Sequence, residues 1–240
     1  MRITLFVPCF MNTMYPRAGM SIVTVLERLG HTVEYHEDIF CCGQPAFNAG
    51  YWDEARTVAE PVVKKLAAAD PEAIVIGSGS CGAMLKVFYR ELFANTALAA
   101  DAVAIGERTW EFSDFLVTKL GVTDIGAKFP AKITFHDGCH GLRELRVKQQ
   151  PRKLLAHVQG LELVEMRDAE TCCGFGGTFS AKFPAISTAM GEVKCASAVE
   201  TDAEYIVSND SSCLMQIQGL LDRQGKKLKT MHLAEVLARR

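Results

Sequence analysis

The sequence is written twice, and that duplication constrains every other reading of it. The segment ITLFVPC at Ile3–Cys9 returns as ITFHDGC at Ile133–Cys139. Cys41-Cys42-Gly43 returns as Cys172-Cys173-Gly174. EAIVIGSGSC, ending at Cys81, returns as EYIVSNDSSC, ending at Cys213. TWEFSDFLVTKLG, from Thr109, returns as TMHLAEVLARR, from Thr230, after a shorter insert. A chain of 240 residues built this way is expected to form two units of ordinary domain size, 1–128 and 129–240.

Within each unit, short β-branched apolar runs alternate with helical patterns. The expected strands of the first unit are Ile3–Val7, Thr32–Tyr35, Ala73–Ile76 and Ala102–Ile105. Those of the second are Lys132–His136, Leu161–Glu165, Glu204–Val207 and Lys227–Met231. Ile22, Val25, Leu26 and Leu29 fall on one face of a helix over Ala18–Leu29, which Gly30 closes. A second helix covers YWDEARTVAEPVVKKLAAAD, where Pro61 is expected to kink or break it, and a third follows Cys81. Alternation of this kind predicts an α/β fold with parallel sheets and right-handed crossovers. The duplication predicts two such units facing each other across a pseudo-twofold axis.

Charge and hydropathy narrow the function. The chain carries 26 basic and 28 acidic residues, a net charge of −2, which offers no footprint for nucleic acid or an anionic membrane. No apolar run approaches the roughly 20 residues of a membrane span. The N-terminal run reads as a strand and not as a cleavable signal, so a reducing cytoplasm is the expected setting. Nine cysteines in such a setting point to metal or redox chemistry, and their odd number counts against complete disulfide pairing.

The expected topology gathers these thiols. Cys9 and Cys81 follow strands, and Cys41 and Cys42 come a few residues after another. In a parallel sheet those connections converge at the carboxyl edge. Cys9, Cys41, Cys42 and Cys81 therefore form one candidate set, and Cys139, Cys172, Cys173 and Cys213 the second. Four converging thiolates suit zinc or an iron–sulfur cluster. The chain has none of the short C-x-x-C knuckles of zinc ribbons. The loops CCGQPAFNAG, CCGFGGTFS and GSGSCG are rich in small residues, whose exposed N–H groups can donate to cluster sulfurs.

Cys…Cys-Cys-Gly…Cys, present twice, resembles the cysteine-rich CCG domains of the heterodisulfide reductases and of the glycolate oxidase iron–sulfur subunit. CCGQPAFNAGY, GSGSC, CCGFGGTFS, SCLM and MHLAEVL resemble more narrowly the lactate-utilisation branch of that family, from Cys9 to the C-terminal residues. The resemblance implies an iron–sulfur, electron-transferring subunit of a complex that oxidises L-lactate to pyruvate. It also implies partner iron–sulfur and small subunits, one of them carrying ferredoxin-like clusters. The family's ligands carry over onto Cys9, Cys41, Cys42, Cys81, Cys139, Cys172, Cys173 and Cys213. The broader family closes each motif with C-x-x-C, and its five thiolates hold a non-cubane cluster. Here Ser78 and Asp210 stand where the first cysteine of that pair would be. Four thiolates per unit make one four-iron cubane per unit the simpler expectation. Oxygen ligation by Ser78 or Asp210, and zinc at one site, are the alternatives. A glycolate oxidase-like or heterodisulfide reductase-like complex, chemistry at the site itself, and a zinc-stabilised scaffold without redox role are the alternative functions.

Cys195 has no cysteine counterpart in the first unit. In its predicted helix it reads as a buried structural thiol, with a fifth ligand of the second site or a redox thiol as the sharper reading. His136 and His140 flank Cys139. The repeat makes Cys139 a ligand and not an activated nucleophile, which leaves both histidines to donate hydrogen bonds or relay protons. His232 opens the last helix. No Walker A motif is present, and no flavin or nicotinamide site is evident.

Overall fold

The computed structural model of the chain describes residues 1–39 and 41–240. Eight short strands form two four-stranded parallel sheets. The first has the order β2-β1-β3-β4, with β1 at Arg2–Phe6, β2 at Thr32–Glu34, β3 at Ala73–Ile76 and β4 at Thr109–Glu111. The second has the order β6-β5-β7-β8, with β5 at Lys132–His136, β6 at Glu162–Leu163, β7 at Tyr205–Ser208 and β8 at Lys229–His232. The registers repeat as well. Phe6 pairs with Ile76 at the end of β1, and His136 pairs with Ser208 at the end of β5.

The central strands are buried on both faces, as parallel strands covered by helices must be. One face of each sheet contributes to a single core that spans both units, including Ile3, Leu5, Phe115, Ile133, Phe135 and Val207. The other faces bury separate clusters, around Val63 and Tyr89 in the first unit and around Cys195 and Ile217 in the second. The first long helix, Pro16–Arg28, packs against the last one, Leu233–Ala238. Arg28 fastens that contact by donating to the Ala238 carbonyl at 2.7 Å.

Two expectations are corrected. Ala102–Ile105 is not a strand; it lies inside the helix Ala99–Arg108, and the fourth strand is Thr109–Glu111. The alanine-rich stretch is intrinsically helical, and Ala102, Ile105 and Gly106 bury one helical face. Thr-Trp-Glu is short, but its β-branched and aromatic residues suit the edge of the sheet. The second correction is the break expected at Pro61: the helix Trp52–Ala69 continues through it. An interior proline costs about 3 kcal/mol. The buried stripe Ala55, Ala59, Val62, Val63 and Leu66 offsets it.

Candidate metal centres

Each set of four thiols is assembled by three connections at the carboxyl end of its sheet. Cys9 and Cys139 begin the helices that follow β1 and β5. Cys81 and Cys213 sit in the first turns of the helices Gly79–Ala83 and Ser211–Arg223, just after β3 and β7. The Cys-Cys-Gly triplets close the third side.

The glycine of each triplet is needed twice over. Gly43 and Gly174 have φ of 83° and 86°, in the left-handed region. A Cβ on Gly43 would lie 2.8 Å from the Ala55 carbonyl oxygen, and one on Gly174 would lie 2.4 Å from that of Ser187. The sharp turn folds each glycine N–H back onto the first thiol of its own pair. Gly43 N donates to Cys41 Sγ at 3.5 Å, and Gly174 N to Cys172 Sγ at 3.4 Å. The two cysteines must be adjacent because the turn sends Cys42 and Cys173 into the core while Cys41 and Cys172 face the cavity mouth. Cys42 and Cys173 are buried, and their partners are half-buried.

The thiols touch in series. Cys42 Sγ lies 3.2 Å from Cys81 Sγ, well beyond an S–S bond of about 2.05 Å. Cys41 accepts from both Cys42 and Cys9, which pulls its thiol down to about 2. Cys172 accepts from Cys139 and Cys173 and is pulled down to about 2 as well. The donors shift the opposite way: hydrogen bonding to Cys41 pushes Cys9 up, and hydrogen bonding to Cys172 pushes Cys139 up. Cys9 and Cys139 therefore resist ionisation beside Cys41 and Cys172. A cation removes that resistance, because coordination deprotonates a thiol outright. Crowded thiols, with Cys42, Cys81, Cys173 and Cys213 buried and Cys9 exposed at the rim, fit metal or iron–sulfur binding on their own chemistry.

The two sets are neighbours. A cavity of about 420 Å³ is walled by Cys9, Cys41, Cys42 and Cys81, with Phe10, Pro45 and Phe175 among its apolar lining. A smaller one, about 60 Å³, is walled by Cys139, Cys172, Cys173 and Cys213. Both are lined by Gln44, Ser80, Phe175, Gly177, Asp210 and Ser212. The units meet there backbone to backbone: a Cβ on Gly79 would stand 2.7 Å from Gly141 N.

Ser78 and Asp210, which occupy corresponding positions, are bonded to each other. Ser78 Oγ donates to Asp210 Oδ2 at 3.0 Å. The same oxygen accepts from Ser80 N at 3.1 Å, and Asp210 Oδ1 accepts from Ser212 N at 3.2 Å. One carboxylate thus caps the cysteine-bearing helices of both units, which sequence reading did not anticipate. Cys195 does not join either cavity. It is fully buried, its Sγ lies 3.7 Å from the Ile217 carbonyl, and burial pushes its thiol up to about 11. Its helix position matches that of Val63 in the first unit, which is also buried.

The histidines divide. His140 Nδ1 is 3.6 Å from Cys139 Sγ, and Gln44 of the first unit reaches its Nε2 at 3.4 Å. His232 caps the last helix, accepting from Ala234 N at 3.1 Å. His136 is fully buried, with a ring nitrogen within 4.8 Å of both Cys173 Sγ and Cys213 Sγ. Lys194 is buried in the same region and donates to the Asp168 and Ala169 carbonyls; burial lowers its amine to about 8. Lys194 was missed in the sequence, where it looks like a solvated residue of an amphipathic helix.

Among the described residues, no helix is long and apolar enough to cross a membrane. The cysteine-rich domain called CCG matches residues 3–86 and 133–218. Lactate utilization protein A of Bacillus pumilus (strain SAFR-032) is 44% identical over 237 residues, 99% of this chain and 99% of its own length. The protein of that name from Exiguobacterium sp. (strain ATCC BAA-1283 / AT1b) is 43% identical, with 98% of this chain and 96% of its own covered. Among solved structures, a glutamate racemase from Bacillus anthracis aligns over 99% of this chain and 78% of its own, at 12% identity and a TM-score of 0.39, too slight a likeness to build on. The chain belongs to the cysteine-rich CCG-domain family, carries that domain twice, and falls with the lactate utilization protein A members of it.

Proposed function

We propose that the chain is an iron–sulfur electron-transfer subunit of a lactate utilisation system that oxidises L-lactate to pyruvate, with one cluster per unit. The observation that carries this reading is the shared wall. Two four-thiol sets sit on either side of Gln44, Ser80, Phe175 and Asp210, close enough for charge to pass through a few side chains. The relatives that share the full chain are named for lactate utilisation, and the letter in that name implies a system of several proteins. We take Cys9, Cys41, Cys42 and Cys81 as the ligands of the first centre, and Cys139, Cys172, Cys173 and Cys213 as those of the second. We take Ser78 and Asp210 as caps and not ligands, since their oxygens are committed to each other and to helix N–H groups.

A cluster bound at each set supplies one-electron storage. The residues around it do the rest. Gly43 N–H and Gly174 N–H favour charge on the sulfurs of Cys41 and Cys172. Phe10 and Phe175, with ring centroids 5.8 Å apart, shield the mouth of the first cavity from water. Asp210 holds the helices of Cys81 and Cys213 in one frame.

The test is anaerobic reconstitution with iron and sulfide. Iron and acid-labile sulfide should load both sets, Cys42→Ala and Cys173→Ala should each remove one cluster's share, and lactate with the partner proteins should reduce the chain. A protein that binds zinc tightly and never takes up iron sinks the proposal.

The 420 Å³ cavity favours a second reading, in which the first centre also performs chemistry on a small substrate. Turnover by the reconstituted complex that is lost on filling the cavity, for example with Ala181→Phe, while the second cluster still reduces, would favour it. Unchanged turnover would remove it.

A further inference from the structure

We infer that His136 is a further ligand of the second centre, its imidazole coordinating metal there beside the thiolates of Cys173 and Cys213. The inference rests on the reading above that the second set of thiols holds metal. Three observations on this chain support it.

A ring nitrogen of His136 and the sulfurs of Cys173 and Cys213 all lie within 4.8 Å of one another, and all three residues are buried. Among the described residues, neither ring nitrogen has a hydrogen-bond partner of acceptable geometry. The Ala169 carbonyl nearby is already taken by Asp137 N at 3.1 Å and Lys194 Nζ at 3.0 Å. A buried polar side chain left unpaired is costly, and buried groups are satisfied in the great majority of proteins. A metal ion at the thiols would satisfy this one.

The first unit supplies the control. β1 and β5 are five-residue strands in matching register, and the position of His136 is filled there by Phe6, which is equally buried. The site at the end of this strand accepts an apolar ring without loss of the fold, so the imidazole is not required for packing. Neutral imidazole and thiolate suit the same borderline metals, iron and zinc among them.

His136 adds a neutral donor and displaces none of the four thiolates, so the charge of the centre is unchanged by it. The buried Lys194, in the helix position matched by Val62 of the first unit, favours the more negative, reduced form of the second centre. The second centre is then the higher-potential one, and electrons run from the first unit to the second.

The test uses the full chain, reconstituted anaerobically with iron and sulfide, reduced, and grown with either natural or 15N-labelled histidine. Pulsed EPR should show a nitrogen hyperfine coupling of the strength of directly bound imidazole, and it should change on labelling. His136→Phe should abolish it, while His140→Phe should preserve it. A loaded protein without strong, label-sensitive coupling overturns the inference alone, as does a coupling that disappears with His140→Phe. If His136→Phe fails to fold, the labelled parent and His140→Phe still decide. Iron and sulfide analysis separates these outcomes from a chain that takes up no iron, which overturns the parent reading and this one together.

Discussion

In the first unit, Phe6 ends the central strand and Val62 stands in the helix packed against it; in the second, the same positions hold His136 and Lys194. The thiols around them keep one arrangement, with the same left-handed glycine and the same helix starts. Yet the first set opens on an apolar cavity of about 420 Å³, and the second on one of about 60 Å³ among buried polar groups. Geometry was retained after duplication while the surroundings diverged. The two halves can thus be read as one donor frame placed in two different electrostatic settings. Two equal frames in unequal settings are what a directional electron path requires.

That comparison can be broken most directly by separating its halves. The core is continuous across the units, from Ile3 and Phe115 to Ile133 and Leu233. Residues 1–128 and 129–240, expressed singly, are expected to lack a cooperative urea transition, and mixing them should restore one; two independently folding halves would refute the shared core. The glycines come next. Gly174 is approached by backbone at 2.4 Å and Gly43 at 2.8 Å. Left-handed strain costs roughly 1–2 kcal/mol for any other residue, and the clash adds to it. Gly174→Ala should therefore destabilise by about 3 kcal/mol and Gly43→Ala by about 2 kcal/mol in urea unfolding. The reverse order would show that the two turns are not equivalent.

The shared cap offers a smaller asymmetry. Asp210→Ala strips the acceptor from Ser78, Ser80 and Ser212 and should cost about 2 kcal/mol, against about 1 kcal/mol for Ser78→Ala. Equal costs would mean that the carboxylate serves one unit only.

A pH-dependent asymmetry comes from the final strands. Glu111 and His232 occupy corresponding positions and both cap the helix that follows. Burial raises Glu111 from 4.5 to about 7, so between those values the folded chain holds a proton that the unfolded chain releases, and stability falls as pH rises. Burial lowers His232 below its usual 6.5, so just beneath that value the unfolded chain holds the extra proton, and stability rises with pH. In urea titrations of the metal-free chain, Glu111→Gln should remove the fall, worth about 3 kcal/mol across that window, and His232→Asn the rise. Slopes of the same sign would contradict the opposed settings.

Much of this was legible in the repeated motifs. Duplication and the Gly-rich loops fixed which thiols meet, because strand ends in a parallel sheet converge whatever the helices do. Ala102–Ile105 misled because its short apolar run satisfies the strand pattern as well as the helical one, and only the pairing of Thr109–Glu111 with β3 decides between them. Pro61 misled because local propensity was weighed without the buried stripe around it. Asp210 reads as a substituted cysteine; that it reaches the other unit's helix depends on contacts far apart in sequence. The exchange of Phe6 for His136 was visible in the aligned repeats, as an apolar position turned polar, but its meaning needed the unsatisfied nitrogens.

The meeting of Gly79 with Gly141 has one further consequence. Side chains can change rotamer and let neighbouring groups drift, but main-chain atoms in contact leave no slack to lose. The approach of the helix starts that carry Cys81 and Cys139 is therefore fixed by backbone contact, and a side chain at Gly79 would have to push the two units apart.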